Sequence, residues 1–470
     1  MTSTPSAEAK APASDRLRIS EYVGYALGDT ASNLFFQTFN IFLTYYYVDV
    51  WGLAATAVSW MMLLVRFWDS VADPVMGIVA DRTKTRWGRF RPYLLWMALP
   101  YGIAGYLIFA NPSLGPQGKL IYAYATYTLM LFAYTGVNVP YSSLLGVLSP
   151  SSRTRMVASS FRFVGAFGGG LLVSLLVRPL VKSLGGGDEV SGFQQTMAFF
   201  AVLSVALFWV TFATTRERVT PPPGQASSVR GELGELARNR PWLILLFAAA
   251  FSTTFIVMRS GSTLFYFKYC VGDDGSPILF GALDRTTIFL STGMASMMLG
   301  SACLGIFARA ADKRTLAVAL TLVTSLSYAS FYFLPPDNYP LLLAVNALGT
   351  LCMGPTSALV WAMYADVADY GEWKFGRRST GLVYSASLFA LKSGTTIAGW
   401  LLPMFLAWFG FVPNVRQSST ALLGISLAFS VMPGFFALLK AAALWAYPLH
   451  QREVERIERE LSERRAAVLA

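Results

Sequence analysis

Long apolar stretches recur along the whole chain, and each is close to the roughly 20 residues that one helical bilayer crossing needs. They lie near residues 22–48, 56–80, 92–111, 119–147, 158–182, 195–214, 242–270, 284–308, 313–335, 340–366, 380–411 and 418–447. A backbone in lipid must satisfy its own hydrogen bonds, which leaves helices or a closed barrel. Alternating strands of ten residues are absent, so an all-α membrane protein with twelve transmembrane helices is expected. The composition agrees: 54% of the 470 residues are hydrophobic and only 13% charged.

The cations fall in alternate loops. Arg82 to Arg91, Arg153 and Arg155, the stretch from Arg216 to Arg240, Arg309 to Arg314, and Lys374 to Arg378 carry much of the net charge of +11. The intervening loops, such as Asn111 to Gly118 and Pro335 to Pro340, are short and poor in cations. By the positive-inside rule both termini and the central loop are expected to be cytoplasmic. Since topology accounts for the basic residues, no nucleic-acid partner is expected. The expected organisation is a disordered tail over 1–20, a six-helix bundle over 21–215, a linker over 216–240 containing Pro221 to Gly224, a second six-helix bundle over 241–447, and a cytoplasmic helical tail over 448–470. The last has opposite charges at helical spacing and reads as a solvated helix.

Several chemistries are disfavoured. Cys270, Cys303 and Cys352 lie on or near separate helices, and the lone His450 sits in the tail, which removes histidine triads and most zinc sites. A phosphate-binding glycine loop followed by Lys-Ser/Thr is absent, so ATP is not the expected energy source. A transport protein, not an enzyme, is the reading, with no cofactor.

Asp69 and Asp73 are the exception to the apolar pattern. They stand in Trp60-Met-Met-Leu-Leu-Val-Arg66-Phe-Trp-Asp69-Ser-Val-Ala-Asp73-Pro74-Val-Met-Gly77, where each charge costs about 2.5–3.5 kcal/mol at bilayer depth. Four residues apart, they share a helix face, with Arg66 one turn earlier. Such carboxylates usually bind an ion or proton along a polar pathway; the plainer reading is an Arg66 salt bridge that fixes packing.

Together with Asp81-Arg-Thr-Lys-Thr-Arg-Trp-Gly88-Arg-Phe-Arg-Pro92, Asn138-Val-Pro-Tyr141, Asp366-Val-Ala-Asp369-Tyr-Gly-Glu372 and Lys392, this segment resembles the glycoside-pentoside-hexuronide:cation symporters of the major facilitator superfamily, the melibiose-carrier type. The resemblance runs from about Tyr22 to Pro448. It implies two six-helix bundles and uptake of a sugar with H+ or Na+ by alternating access. By position it implies a cation site of Asp69, Asp73 and Thr135, with Lys392 beside it, and a sugar-contacting arginine at Arg162. Asn33 and Asn138 stand where the melibiose carriers have sugar-binding aspartates, which moves the chain towards the glucuronide and pentoside branches. Ala72, where sodium users often have asparagine, tilts the reading towards protons. A monomer is expected.

The residues support a compatible chemistry. Two carboxylates and a hydroxyl offer the hard oxygen ligands of a cation site. Sugar rings pack on aromatic faces, for which Tyr25, Tyr141 and Trp361 are candidates, with helix packing as the alternative role. Arg259 is an additional intramembrane cation suited to a uronate carboxylate, or to pairing with an acidic side chain, or to reaching outward. Arg153, Arg155 and Arg378 are expected to pair with Asp366, Asp369 and Glu372 as a cytoplasmic gate. The rival functions are a lysophospholipid or other amphiphile symporter of the same architecture and a membrane-embedded transferase.

Overall fold

The computed structural model describes residues 17–149, 152–218, 238–279, 281–304, 312–376 and 380–469. Among these, helices form twelve membrane rods and a final amphipathic helix. In order they are α1 (Ile19–Thr38), α2 (Ala55–Arg82), α3 (Arg91–Trp96 and Ala98–Phe109), α4 (Pro116–Leu148), α5 (Ser152–Gly185) and α6 (Glu189–Thr214), then α7 (Arg240–Tyr266), α8 (Arg285–Ala302), α9 (Lys313–Ser330), α10 (Tyr339–Phe375), α11 (Thr380–Trp408), α12 (Ser419–Phe429 and Val431–Trp445) and α13 (Gln451–Leu469). Six segments, among them α4, α6 and α10, are long and apolar enough to cross a membrane on length and composition alone.

Several helices start where the chain offers a side-chain oxygen to unpaired backbone N–H groups. Asp188 caps α6, Asn239 caps α7, Asp284 caps α8, Asn338 caps α10 and Ser418 caps α12. α10 continues nine residues past the expected limit of 366, because Asp366 to Phe375 stay helical until Gly376 turns into the left-handed region at φ 73°.

The two halves repeat one helix–helix contact. In the first half Thr30 of α1 donates to the Gly165 carbonyl of α5 at 2.9 Å; in the second, Thr254 of α7 donates to the Gly394 carbonyl of α11 at 3.1 Å. Both glycines are needed for the close approach, since a Cβ would lie 2.2 Å from the Ala26 carbonyl at Gly165 and 2.2 Å from the Ala250 carbonyl at Gly394. Both first helices also widen into π-helical turns at their far ends, at Phe39–Leu43 and Tyr46–Val50 after α1 and at Phe267–Val271 after α7. The halves meet along α2 against α11, α5 against α8, and the end of α1 against α7.

Two boundaries differ from the sequence reading. The start of the linker is fixed to the first half: Glu217 accepts backbone N–H groups of Arg89, Phe90 and Arg91 at 2.9, 2.7 and 3.0 Å, and Arg218 pairs with Glu21 at 2.6 Å. The tail helix α13 is docked rather than solvated. Val454, Ile457 and Leu461 make an apolar stripe buried in a core cluster of the second half, and Trp373 donates to Glu460 at 2.6 Å. The alternating charges of α13 obscured that stripe.

Candidate functional site

Helical spacing places Asp69 and Asp73 side by side on α2, and two further helices complete the group. Thr135 of α4 lies 3.0 Å from Asp69 Oδ1 and 2.9 Å from Asp73 Oδ1. Lys392 of α11 lies 3.0 Å from Asp69 Oδ2 and 2.5 Å from Asp73 Oδ2. A hydroxyl has one proton to donate, so Thr135 satisfies one carboxylate at a time and offers its lone pairs elsewhere. Two carboxylates and one ammonium leave a formal charge of −1, which one bound monovalent cation or proton neutralises. Asp73 and Lys392 keep 30% and 27% of their side-chain surface exposed, against 10% for Asp69, so the group has an open side.

Arg66 is held by other contacts. Its Nε donates to Tyr127 at 2.7 Å and its Nη1 to the Thr395 carbonyl of α11 at 2.8 Å, holding α2 to α4 and α11. The salt bridge to the aspartates that the plainer reading gave to Arg66 is made by Lys392, from the opposite half of the molecule. That partner lies 323 positions from Asp69, and within-helix spacing is blind to it.

Along α4, Thr135, Asn138 and Ser142 follow at helical intervals, so one face runs from the aspartates to Arg162 of α5. Asn138 Oδ1 is buried and has no hydrogen-bond partner, a free acceptor on this face. Arg162 donates from Nη2 to Ser142 at 3.2 Å and from Nε to Asp29 of α1 at 3.2 Å. Asp29 was not among the expected site residues; it is buried and one turn before Asn33, whose amide donates to the Asp29 carbonyl at 2.9 Å. The signal that marks it is the one that marks Asp69 and Asp73: a carboxylate inside an apolar span.

The aromatic candidates take up the packing role given as their alternative. Tyr25 and Tyr141 are fully buried, stack at 4.8 Å and exchange hydrogen bonds with each other's carbonyls, at 3.4 Å from Tyr25 and 2.6 Å from Tyr141. They join α1 to α4, and Tyr141 supports the Arg162 guanidinium at 5.1 Å. Trp361 packs edge-on against Tyr364 at 5.7 Å beside the apolar core of the second half.

Arg259 neither reaches outward nor meets an acidic side chain among the described residues. It is 5% exposed, with Phe429, Phe331 and Tyr328 ring centres at 3.5, 4.1 and 4.8 Å. It lines a cavity of about 120 Å³ between the halves, with Gln37, Ser174 and Asn346.

Of the expected cytoplasmic gate, the contacts of Asp366 and one of Arg155 can be described. Asp366 pairs with Lys313 of its own half at 3.0 Å, because α9 begins beside the end of α10, and Arg155 donates to the Ser149 carbonyl at 2.8 Å. Arg378 and the Arg153 side chain lie outside the described residues, while Asp369 and Glu372 each have a partner. A polar closure that the sequence reading missed lies at the other end. The buried Asp49 carboxylate accepts from Lys268 and Tyr269, and Asn414 donates to the Asp49 carbonyl at 2.7 Å. Beside it Arg178 of α5 pairs with Asp284 at 2.6 Å, and Lys182 donates to the Gly275 carbonyl at 2.8 Å. Each of these contacts joins the first half to the second.

The family model for the MFS/sugar transport proteins matches residues 24–451. The chain belongs to that family. Among relatives of this transporter, the putative glycoside/cation symporter YagG of Escherichia coli (strain K12) is 37% identical over 462 residues, 96% of each chain. The glucuronide carrier protein homolog of the same organism is 33% identical, covering 94% of this chain and 95% of the relative. The fold matches the crystal structure of a point mutant of the nucleoside transporter NupG with a TM-score of 0.67 at 12% identity, covering 91% of this chain and 99% of that one. The family is one of membrane transporters, not enzymes, and the transferase alternative falls with it. Among the described residues, no cluster of three or more His, Cys, Asp or Glu could hold a metal ion.

Proposed function

We propose that this transporter is a cation-coupled symporter that imports a glycoside, pentoside or hexuronide across the bacterial inner membrane with H+ or Na+. The observation that carries the reading is the Asp69–Asp73–Thr135–Lys392 group, linked along one face of α4 to Asn138, Ser142, Arg162 and Asp29. A cation entering between the carboxylates competes with the Lys392 ammonium. Since Lys392 belongs to the second half and the aspartates to the first, occupancy alters a contact on which the relative position of the halves depends. Asn138 follows Thr135 by one turn, so sugar hydroxyls and the cation act on neighbouring positions of the same helix. The amphiphile symporter is not favoured: the relatives named above are a glycoside/cation symporter and a glucuronide carrier homolog.

With both termini cytoplasmic, the Asp49 and Arg178 contacts close the outer end, and this conformation is the inward-facing one. Concentrative uptake then needs the empty carrier to break those contacts, while the loaded carrier remakes them. Ala72 beside Asp73 offers no side-chain oxygen ligand, which favours H+ over Na+. Labelled glycosides and uronides, offered to proteoliposomes under imposed H+ or Na+ gradients, test the reading. Accumulation of a sugar with one of the two gradients supports it, and a full panel that neither gradient moves overturns it.

Arg162→Gln is expected to weaken binding of every transported sugar by roughly tenfold or more, the scale of a hydrogen bond involving a charged group. It also leaves Asp29 buried without its guanidinium, so the thermal midpoint of the purified protein should fall as well. Calorimetric affinities that match wild type would remove Arg162 from the sugar site.

A further inference from the structure

Arg259 has a feature that its aromatic surroundings do not explain. One of its nitrogens, Nη1, donates to the Phe429 carbonyl at 2.6 Å, which ties α7 to the break in α12. The other two, Nε and Nη2, are buried and have no partner. These two carry the parallel N–H bonds on one edge of the guanidinium, the fork that matches both oxygens of a carboxylate. Aromatic rings crowd the group and leave that edge unsatisfied. A buried charge with free donors is costly unless an acceptor arrives.

The cavity that Arg259 lines lies between the halves. Gln37 and Ile41 of α1 and Ser174 of α5 line it from one side, and Asn346 of α10 from the other. At about 120 Å³ it holds several times the space that one water requires. Gln37 stands one helical turn, about 5.4 Å, beyond Asn33 on α1. Gly170, next to the glycine that faces Asn33, has Gln37 and Met294 of the cavity wall as its neighbours. The cavity is thus continuous in register with the sugar face and displaced from it towards the closed outer end.

The geometry points to Arg259 as the anchor of a subsite for a carboxylate carried on the sugar ring, so that the acidic sugars are the selected substrates. This rests on the reading of the protein as a sugar transporter. The ring would occupy the face of Asn33, Asn138 and Arg162, while its carboxylate is received by Nε and Nη2 of Arg259, with Gln37 and Asn346 available to its remaining lone pairs.

The test uses the purified full-length protein and three ligands that differ at one carbon: methyl glucoside, methyl glucuronide and the neutral methyl glucuronamide. Wild-type protein is expected to bind the glucuronide about 10- to 100-fold more tightly than the amide or the glucoside, the range of a hydrogen bond to a charged group. Arg259→Gln should remove most of that preference and leave glucoside affinity nearly unchanged; Arg259→Lys should restore only part of it, because an ammonium lacks the fork. Equal affinity of wild type for glucuronide and amide, or equal losses for acid and glucoside in Arg259→Gln, would overturn the subsite while leaving the sugar reading intact. Should none of the three bind while another sugar of the transport panel is accumulated, the subsite fails and the sugar reading stands. The ligand series on wild type decides the matter even where the Gln variant does not fold.

Discussion

Asp73→Asn is expected to abolish gradient-driven accumulation while leaving sugar exchange across the membrane in place. An amide cannot release a proton or balance a bound cation, yet it can keep a contact with Thr135 and Lys392. Losing one carboxylate takes the group from −1 to neutral, the charge it otherwise has only with a cation bound. The variant should therefore behave as a permanently loaded carrier. One cation crossing 100 mV supplies about 2.3 kcal/mol, enough for a sugar gradient of roughly fifty-fold. In proteoliposomes the accumulation ratio should fall from about that value towards one, with counterflow of labelled sugar retained. Accumulation at the wild-type level would sink the assignment. Asp69→Asn should be at least as damaging, since the Asp69 side chain is only 10% exposed and also bonded to both Thr135 and Lys392.

Asp49→Asn should shift the carrier towards its outward-facing state. The Asp49 carboxylate has no exposed side-chain surface and collects Lys268 and Tyr269 from the second half, while Lys268 also reaches Asn414 at 2.8 Å. Removing its charge weakens bonds worth about 1.5–3 kcal/mol, a shift of roughly 10- to 150-fold in the balance of the two states. A cysteine placed at Gln37, with Cys270, Cys303 and Cys352 replaced by alanine, should react faster with a membrane-impermeant thiol reagent applied from the outer side. An unchanged rate in well-expressed protein would show that the Asp49 contacts do not govern opening. Arg178→Gln, which removes the neighbouring pair with Asp284, should act in the same direction.

These expectations draw unequally on sequence and structure. Membrane insertion, the helical class and the common face of Asp69 and Asp73 were legible in the sequence, because each depends on composition or on periodicity within one segment. Burial in lipid makes an intramembrane charge conspicuous, which also brought Arg259 forward. Thr135, Arg162 and Lys392 came from the resemblance, and the structure joins Thr135 and Lys392 directly to the aspartates and Arg162 to the same face of α4.

What a side chain faces across helices was decided only by the tertiary structure. Lys392 rather than Arg66 pairs with the aspartates, Asp29 pairs with Arg162, and Asp49 meets Lys268. Tyr25 stacks on Tyr141, and Asp366 pairs with Lys313. The physical reason is shared. A helix repeats every 3.6 residues and so exposes its faces to inspection, but its rotation and neighbours are set by close packing of small residues such as Gly165 and Gly394. In a medium of low dielectric a charge must find a partner, and the sequence records that need without recording which of the distant charges will meet it.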